Sequence, residues 1–212
     1  MAIDLPPAVA DDWQHVGGRT DDRSLSLATI TAETAVFRHR PTADALERLR
    51  ADGSVPARSL FTVDLAISPS LSAIGLDPGD ALELAAPKAR DGVVETLADD
   101  GIEVGAERAN EYIDRPDGAI GHLTVLEAAY PIDANAATDG GTPDADSVTI
   151  DAEVHAAVWP DGESYTLAGG LLPLEAPESD LLAAALDVDP ARDREAIVDL
   201  FRGLDLEASD GD

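Results

Sequence analysis

The chain of 212 residues carries 43 Asp and Glu against 14 Lys and Arg, a formal charge of −29, with a pI near 4.1. It has no cysteine, which excludes disulfides, thiolate metal sites and cysteine nucleophiles. So negative a chain is poorly suited to nonspecific binding of nucleic acid, and with 44% apolar residues it has the composition of a folded protein, not a charged disordered one.

The acid is not gathered in a tail. It runs in pairs (Asp11-Asp12, Asp21-Asp22, Asp99-Asp100) and as single residues through every segment, and Lys88 is the only lysine beside 13 arginines. A folded chain with this charge repels itself in dilute buffer. At ~1 M salt the Debye length falls to roughly 3 Å and the repulsion is mostly screened. The composition therefore points to a protein built for very high salt, of haloarchaeal type, and the charge reports the solvent before it reports a partner. The start, Met1-Ala2-Ile3-Asp4-Leu5-Pro6, lacks the basic residues and apolar run of a signal peptide. No stretch nears the ~20 apolar residues of a membrane span. The expectation is a cytoplasmic protein with no membrane association.

The length suits one domain, over 1–204, with an acidic tail at 205–212. Residues 24–40 alternate loosely through Leu25, Leu27, Val36 and Phe37, and predict two strands turning near Ala32-Glu33. Pro41 opens a helix over 42–51, with Ala45, Leu46 and Leu49 on one face and Gly53 closing it. The strand at 58–67 has the clearest pattern, with Phe61, Val63, Leu65 and Ile67 on one face and Thr62 and Asp64 on the other. Asp77-Pro78 predicts a helix start, and Pro87 divides the helical stretch into 78–85 and 88–99. Two hairpins follow, 102–113 with 119–130 and 147–159 with 163–174, each turning on a Pro-Asp-Gly: Pro116-Asp117-Gly118 and Pro160-Asp161-Gly162. Between them 133–147 is expected to be a flexible loop. Helices at 178–186 and 190–203 end the chain, the second opened by Asp189-Pro190 and apolar at Ile197, Leu200, Phe201 and Leu204. The whole predicts an α+β fold: an antiparallel sheet of six or seven strands with helices packed on its faces.

Asp151, Glu153 and His155 share one face of a strand whose other face is apolar, and three oxygen and nitrogen donors in line suit a divalent metal. The competing reading is the solvent face of a strand in an acidic protein. Asp133, Asn135, Asp139, Asp144 and Asp146 suggest calcium, but Ala137 and Thr138 stand where an EF-hand needs its fifth ligand and its glycine, so a solvated linker fits better. There is no Gly-x-Ser-x-Gly, no Ser-x-x-Lys and no phosphate-binding glycine loop. The stretch 38–58 departs from the background, with five arginines (Arg38, Arg40, Arg48, Arg50, Arg58) against three acids. Asp44–Arg48 and Glu47–Arg50 have helical pair spacing. Arg38 and Arg40 remain, expected on one face of a strand end, where Arg48 or Arg50 can join them to bind an anionic ligand or a partner's carboxylates.

Two resemblances add to this. Leu76-Asp77-Pro78-Gly79-Asp80-Ala81-Leu82-Glu83-Leu84, after Ile67-Ser68-Pro69, resembles the signature of AbrB-type swapped-hairpin DNA-binding domains, without the basic residues that meet phosphates; a turn motif met by chance explains it. The order of elements resembles PsbP-like proteins, a three-layer fold with an antiparallel sheet between helices. The resemblance lies in Val93–Val104, Asp117–Ala128 and Ile197–Arg202, and it implies an accessory or partner-binding protein more than an enzyme. The leading expectation is thus a non-enzymatic binding or accessory protein with no cofactor. The alternatives are a small-molecule enzyme or ligand carrier with a carboxylate-lined pocket, and a DNA-binding regulator.

Overall fold

A computed structural model describes residues 3–24, 28–51, 55–133 and 147–206. After a short helix α1 (Pro7–Ala10), three strands form a meander: β1 (Trp13–Ser24), β2 (Thr29–His39) and β3 (Ser59–Ser68), with helix α2 (Arg40–Leu49) between the last two. Helix α3 (Leu82–Asp99) leads to a second meander, β4 (Glu103–Asp114), β5 (Ile120–Asp133), β6 (Ser147–Asp161) and β7 (Ser164–Pro173). Helices α4 (Asp180–Leu186) and α5 (Pro190–Gly203) follow. The two meanders join through their last strands, so the sheet runs β1-β2-β3-β7-β6-β5-β4 with every pair antiparallel.

The central strands are apolar on both faces, which is what a sheet covered on both sides requires. Leu171 of β7 packs with Leu46 of α2 and Leu182 of α4; Leu167 packs with Leu82 and Ala86 of α3. One residue on, Ala168 and Leu172 point the other way, onto Ile197, Leu200 and Phe201 of α5. Helices α2, α3 and α4 thus cover one face, and α5 covers the other. The N-terminal segment crosses this second face, where the buried Thr62 hydroxyl donates to the Ile3 carbonyl at 2.6 Å. The sheet also curls: from its outer edge β1 sends Arg19 to Thr96 and Arg23 to Glu95, both on α3, although α3 packs on β4, β5 and β6.

Several expectations are corrected. Ala32-Glu33 is not a turn but the middle of β2, where Ala32 pairs with Asp21 on one side and Leu65 on the other. Thr29-Ile30-Thr31 and Thr34-Ala35-Val36-Phe37 are rich in β-branched residues, and neither Ala nor Glu supplies turn chemistry. The partner β1 gave no apolar alternation because eleven of its twelve residues are exposed. Helix α2 ends at Leu49, with Arg50 taking the left-handed position (φ 51°) and donating to Glu47 O; Gly53 lies outside the described residues. Helix α3 is continuous through Pro87. It begins at Leu82, and Asp77 instead accepts from the amides of Gly79 and Asp80 in the turn before it. The Pro-Gly-Asp therefore leads to a helix.

The two Pro-Asp-Gly turns also differ. In the first, Gly118 (φ 90°) donates to Arg115 O at 3.0 Å. In the second, the turn sits at Gly162-Glu163, and Pro160 stays in β6 opposite Tyr165. The fully buried Trp159 and Tyr165 hold that register. Pairing of β6 with β5 stops at Val158, so the missing N–H of Pro160 costs no ladder bond. The loop expected at 133–147 lies, apart from its ends, outside the described residues, as does most of the tail.

Candidate binding site at the start of helix α2

Strand β2 ends at His39, and Arg40 opens α2 with Pro41 presetting the first turn. The chain is pinned here by the Arg40 amide on Asp12 O (2.8 Å) and by Arg40 Nη2 on Asp11 O (2.6 Å). Helical spacing then puts Arg40, Asp44 and Arg48 on one side. With Asp12 and Pro41 they line an open cleft of about 340 Å³. Arg48 is exposed and makes no ion pair among the described residues. The expected pairs Asp44–Arg48 and Glu47–Arg50 are not formed there, since Glu47 meets Arg38 at 3.3 Å instead.

The four arginines singled out in the sequence are thereby divided. Arg38 donates through Nε and Nη2 to Gln14 Oε1 at 3.2 and 3.1 Å and stands apart from the cleft. Arg40 does not continue the strand, so the two do not share a strand face. The backbone of Arg50 closes α2, and its exposed side chain is not among those that line the cleft. Asp12, which no pattern marked, comes from the turn before β1.

From the same strand–helix junction a buried network ties α2, α4 and α5 together. Arg58, 2% exposed, donates to Thr42 Oγ1 (3.0 Å), to Leu186 O (3.0 Å) and to Asp187 O (3.2 Å), the carbonyls at the end of α4. Its Nε lies 2.9 Å from Asp193 Oδ2 on α5. Burial pushes the Asp193 carboxyl above its ordinary range against the pull of Arg58 and Arg192. His39 Nδ1 lies 3.2 Å from Arg58 Nη1 and 2.8 Å from Thr42 Oγ1; a guanidinium only donates, so Nδ1 accepts and carries no proton. Burial, then Arg58, brings His39 down to about 4. At the rim, Arg192 holds Asp187 through Oδ2 (2.8 Å) and O (2.7 Å). In the network, Arg58 Nε and Asp193 Oδ2 face each other as charges without a hydrogen bond. Arg40 and Arg48 thus present two exposed guanidinium forks at the cleft, Arg40 partly engaged and Arg48 without an ion pair among the described residues. Such a fork suits a carboxylate or phosphate.

The other sequence candidate resolves differently. Glu153 and His155 do meet, with Nε2 at 2.6 Å from Oε1. Arg194 of α5, however, grips both carboxylate oxygens, Nε to Oε1 at 2.5 Å and Nη2 to Oε2 at 2.9 Å. Burial works to raise the Glu153 carboxyl, but the hydrogen bonds from Arg194 and His155 together hold it low. Asp151 is exposed. The three do not form a metal-holding group, and there is none among the described residues: the positive charge a cation would supply comes from a guanidinium belonging to the fold. Nothing in the strand pattern pointed to Arg194, which lies 41 positions away.

Residues 3–205 match the model of a protein family described as a domain of unknown function, DUF6517. The chain belongs to this family. The match covers both meanders and helices α1 to α5, so the cleft at α2 and the Arg58 network lie within the family's domain. No curated protein and no solved structure matches the chain. No described helix is long and apolar enough to cross a membrane.

Proposed function

We propose that this member of the DUF6517 family is a salt-adapted, cytoplasmic binding or accessory protein, not a catalyst, and that an acidic group of its partner docks in the cleft at the start of α2. The observation that carries this is Arg48, an exposed guanidinium with no ion pair among the described residues of a chain at −29, beside Arg40 in an open cleft. Asp12 and Asp44 leave the cleft electrically balanced, so recognition rests on short directed hydrogen bonds and not on net attraction. Contacts of that kind persist in molar salt, where long-range steering is screened away. Arg40 is already held by Asp11 O and so loses little freedom on contact, which favours binding. The resemblance to PsbP-like proteins supports the accessory reading by analogy of fold. The DNA-binding alternative draws nothing from Pro78-Gly79-Asp80, which leads to a helix start.

Calorimetry in 3 M KCl with a glutamate decapeptide and, separately, inorganic phosphate tests the reading; these conditions approximate ~1 M or higher working salt. Wild type and Arg38→Gln should bind the peptide alike, and the Arg40→Gln/Arg48→Gln double variant should lose about tenfold, the ~1.4 kcal/mol expected of charge-assisted bonds. Equal binding by the double variant, or none by the wild type to either probe, overturns it.

A further inference from the structure

Helix α3 crosses the sheet on small side chains. Ala86 and Ala89 of the helix lie over Ala156 of β6, and where these methyl groups leave room a cleft opens between helix and sheet. Val93, Leu126 and Val158 make its walls apolar. The cleft has room for one water-sized sphere, about 10 Å³, and its mouth opens to solvent.

The mouth has a different chemistry. His122 of β5 stands in the wall beside Thr124, and its Nδ1 is buried with no hydrogen-bond partner. Native proteins rarely leave such an atom unpaired. Arg90 of α3 completes the rim. Its Nε is held by Glu107 Oε2 (2.9 Å) and its Nη1 by Asp91 Oδ1 (3.3 Å), while Nη2 is uncommitted among the described residues. Tyr112, directly across the strand pair from His122, meets the imidazole edge to face at 5.1 Å and is 57% exposed. Ile120, 53% exposed, is two residues from His122 on the same face of β5. An apolar floor, an uncommitted guanidinium N–H and the His122 ring therefore meet at one opening, with the exposed Tyr112 ring packed against that imidazole.

We propose that this cleft is a binding site for a small carboxylate with an apolar body. The carboxylate accepts from Arg90 Nη2 at the rim, beside the His122 ring, and the apolar body lies along Ala89 and the Tyr112 ring in the open mouth. The floor excludes a bare inorganic anion, which needs polar partners on every side. A cation is disfavoured because no carboxylate among the described residues lines the cleft, and Glu107 and Asp91 beside it are already bonded to Arg90. The arrangement has the composition of small-molecule sites, mostly apolar with a few convergent polar groups. It is independent of the α2 cleft.

Hexanoate and its neutral counterpart hexanol, titrated by calorimetry and ligand-observed NMR in 3 M KCl, test this. Hexanoate should bind wild type saturably at one site, and hexanol about tenfold more weakly. Ala89→Leu, which fills the mouth, should abolish binding. Arg90→Gln should weaken hexanoate about tenfold and leave hexanol unchanged, and Arg40→Gln/Arg48→Gln should bind hexanoate as wild type does. Three outcomes overturn the proposal: no saturable binding by wild type, equal affinity for acid and alcohol, or full binding by a folded Ala89→Leu. Should Ala89→Leu fail to fold, the Arg90→Gln comparison of acid against alcohol decides the matter alone.

Discussion

Arg58 and Arg115 are the buried arginines of this protein, and both end a helix. Arg58 takes the last carbonyls of α4, while Arg115 takes Phe201 O (2.8 Å) and Leu204 O (2.6 Å) at the end of α5, braced by Asp117 at 2.7 Å and stacked 5.8 Å over Trp159. Helix C-termini leave carbonyls without partners and carry negative partial charge, so a guanidinium fork suits them on both counts. Removing Arg58 also takes the counter-charge from Asp193 Oδ2, leaving only Arg192 Nε at 3.4 Å from Oδ1. Arg58→Ala should therefore cost about 3–5 kcal/mol in chemical denaturation, while Arg58→Met with Asp193→Leu should recover most of that. Equal losses would assign the effect to packing and not to the stranded charge. His39 adds a pH dependence. Its folded value of about 4 lies below the ordinary 6.5, so the unfolded chain takes up the proton first as pH falls. The stability it contributes is whole above pH 6.5 and drains away between 6.5 and 4. Melts from pH 7 to 4 should fall more steeply for wild type than for His39→Gln, and parallel curves would contradict the assignment.

Helix α3 carries an internal proline that a sequence reading takes for a break. Pro87 removes one hydrogen bond, to Glu83 O, early in an 18-residue helix, and the burial of Leu82, Ala86 and Leu97 along its sheet-facing side keeps the helix whole. Pro87 is exposed, so Pro87→Ala restores the bond without disturbing the core. We expect a gain of about 1–3 kcal/mol, the helix penalty of proline less its restriction of the unfolded chain. A lower melting temperature in the variant would mean the proline shapes the approach of α3 to the sheet. The edges of the sheet carry their own devices. β4 has two bulges and β1 one, and both strands are rich in charge, which blunts pairing with other chains. β3, α5 and the Arg115–Gly118 turn were legible in advance, because each advertises itself within a dozen residues: alternation, an Asp189 cap bonded to the Arg192 amide at 3.1 Å, or a glycine that accepts positive φ. β1 was not, since a strand wet on both sides has no apolar face to repeat.

For the molecule as a whole, the proposed salt adaptation rests on the formal charge of −29. Surface arginines are mostly paired, among them Arg38 with Glu47, Arg90 with Glu107 and Arg192 with Asp187, yet 14 basic residues cannot offset 43 acidic ones. Exposed pairs of this kind are each worth ~0–1 kcal/mol and weaken in salt. On the proposed salt-adapted reading, the repulsion among the remaining carboxylates weakens with them and is the larger sum. Melting temperature should therefore climb as KCl is raised from about 0.1 to 3 M, across which the Debye length shrinks from roughly 10 Å to below 3 Å. A flat or falling curve would refute salt adaptation.

The charge, the absent cysteines, the strand at β3 and the closing helix follow from residues acting on their near neighbours, and these the sequence determined by itself. It also marked the arginine-rich stretch, because an excess of one charge is countable. Which arginine does what was decided only by tertiary structure. Arg58 is consumed by carbonyls 128 and 129 positions away, Glu153 by Arg194 from the helix laid over its strand, and Arg40 is turned out of line with Arg38 because the helix begins one residue before Pro41. Whether a charged side chain is free depends on which distant partners the packed chain brings within ~3 Å, and periodicity, which registers only a segment's own alternation of apolar and polar residues, holds no record of that distance.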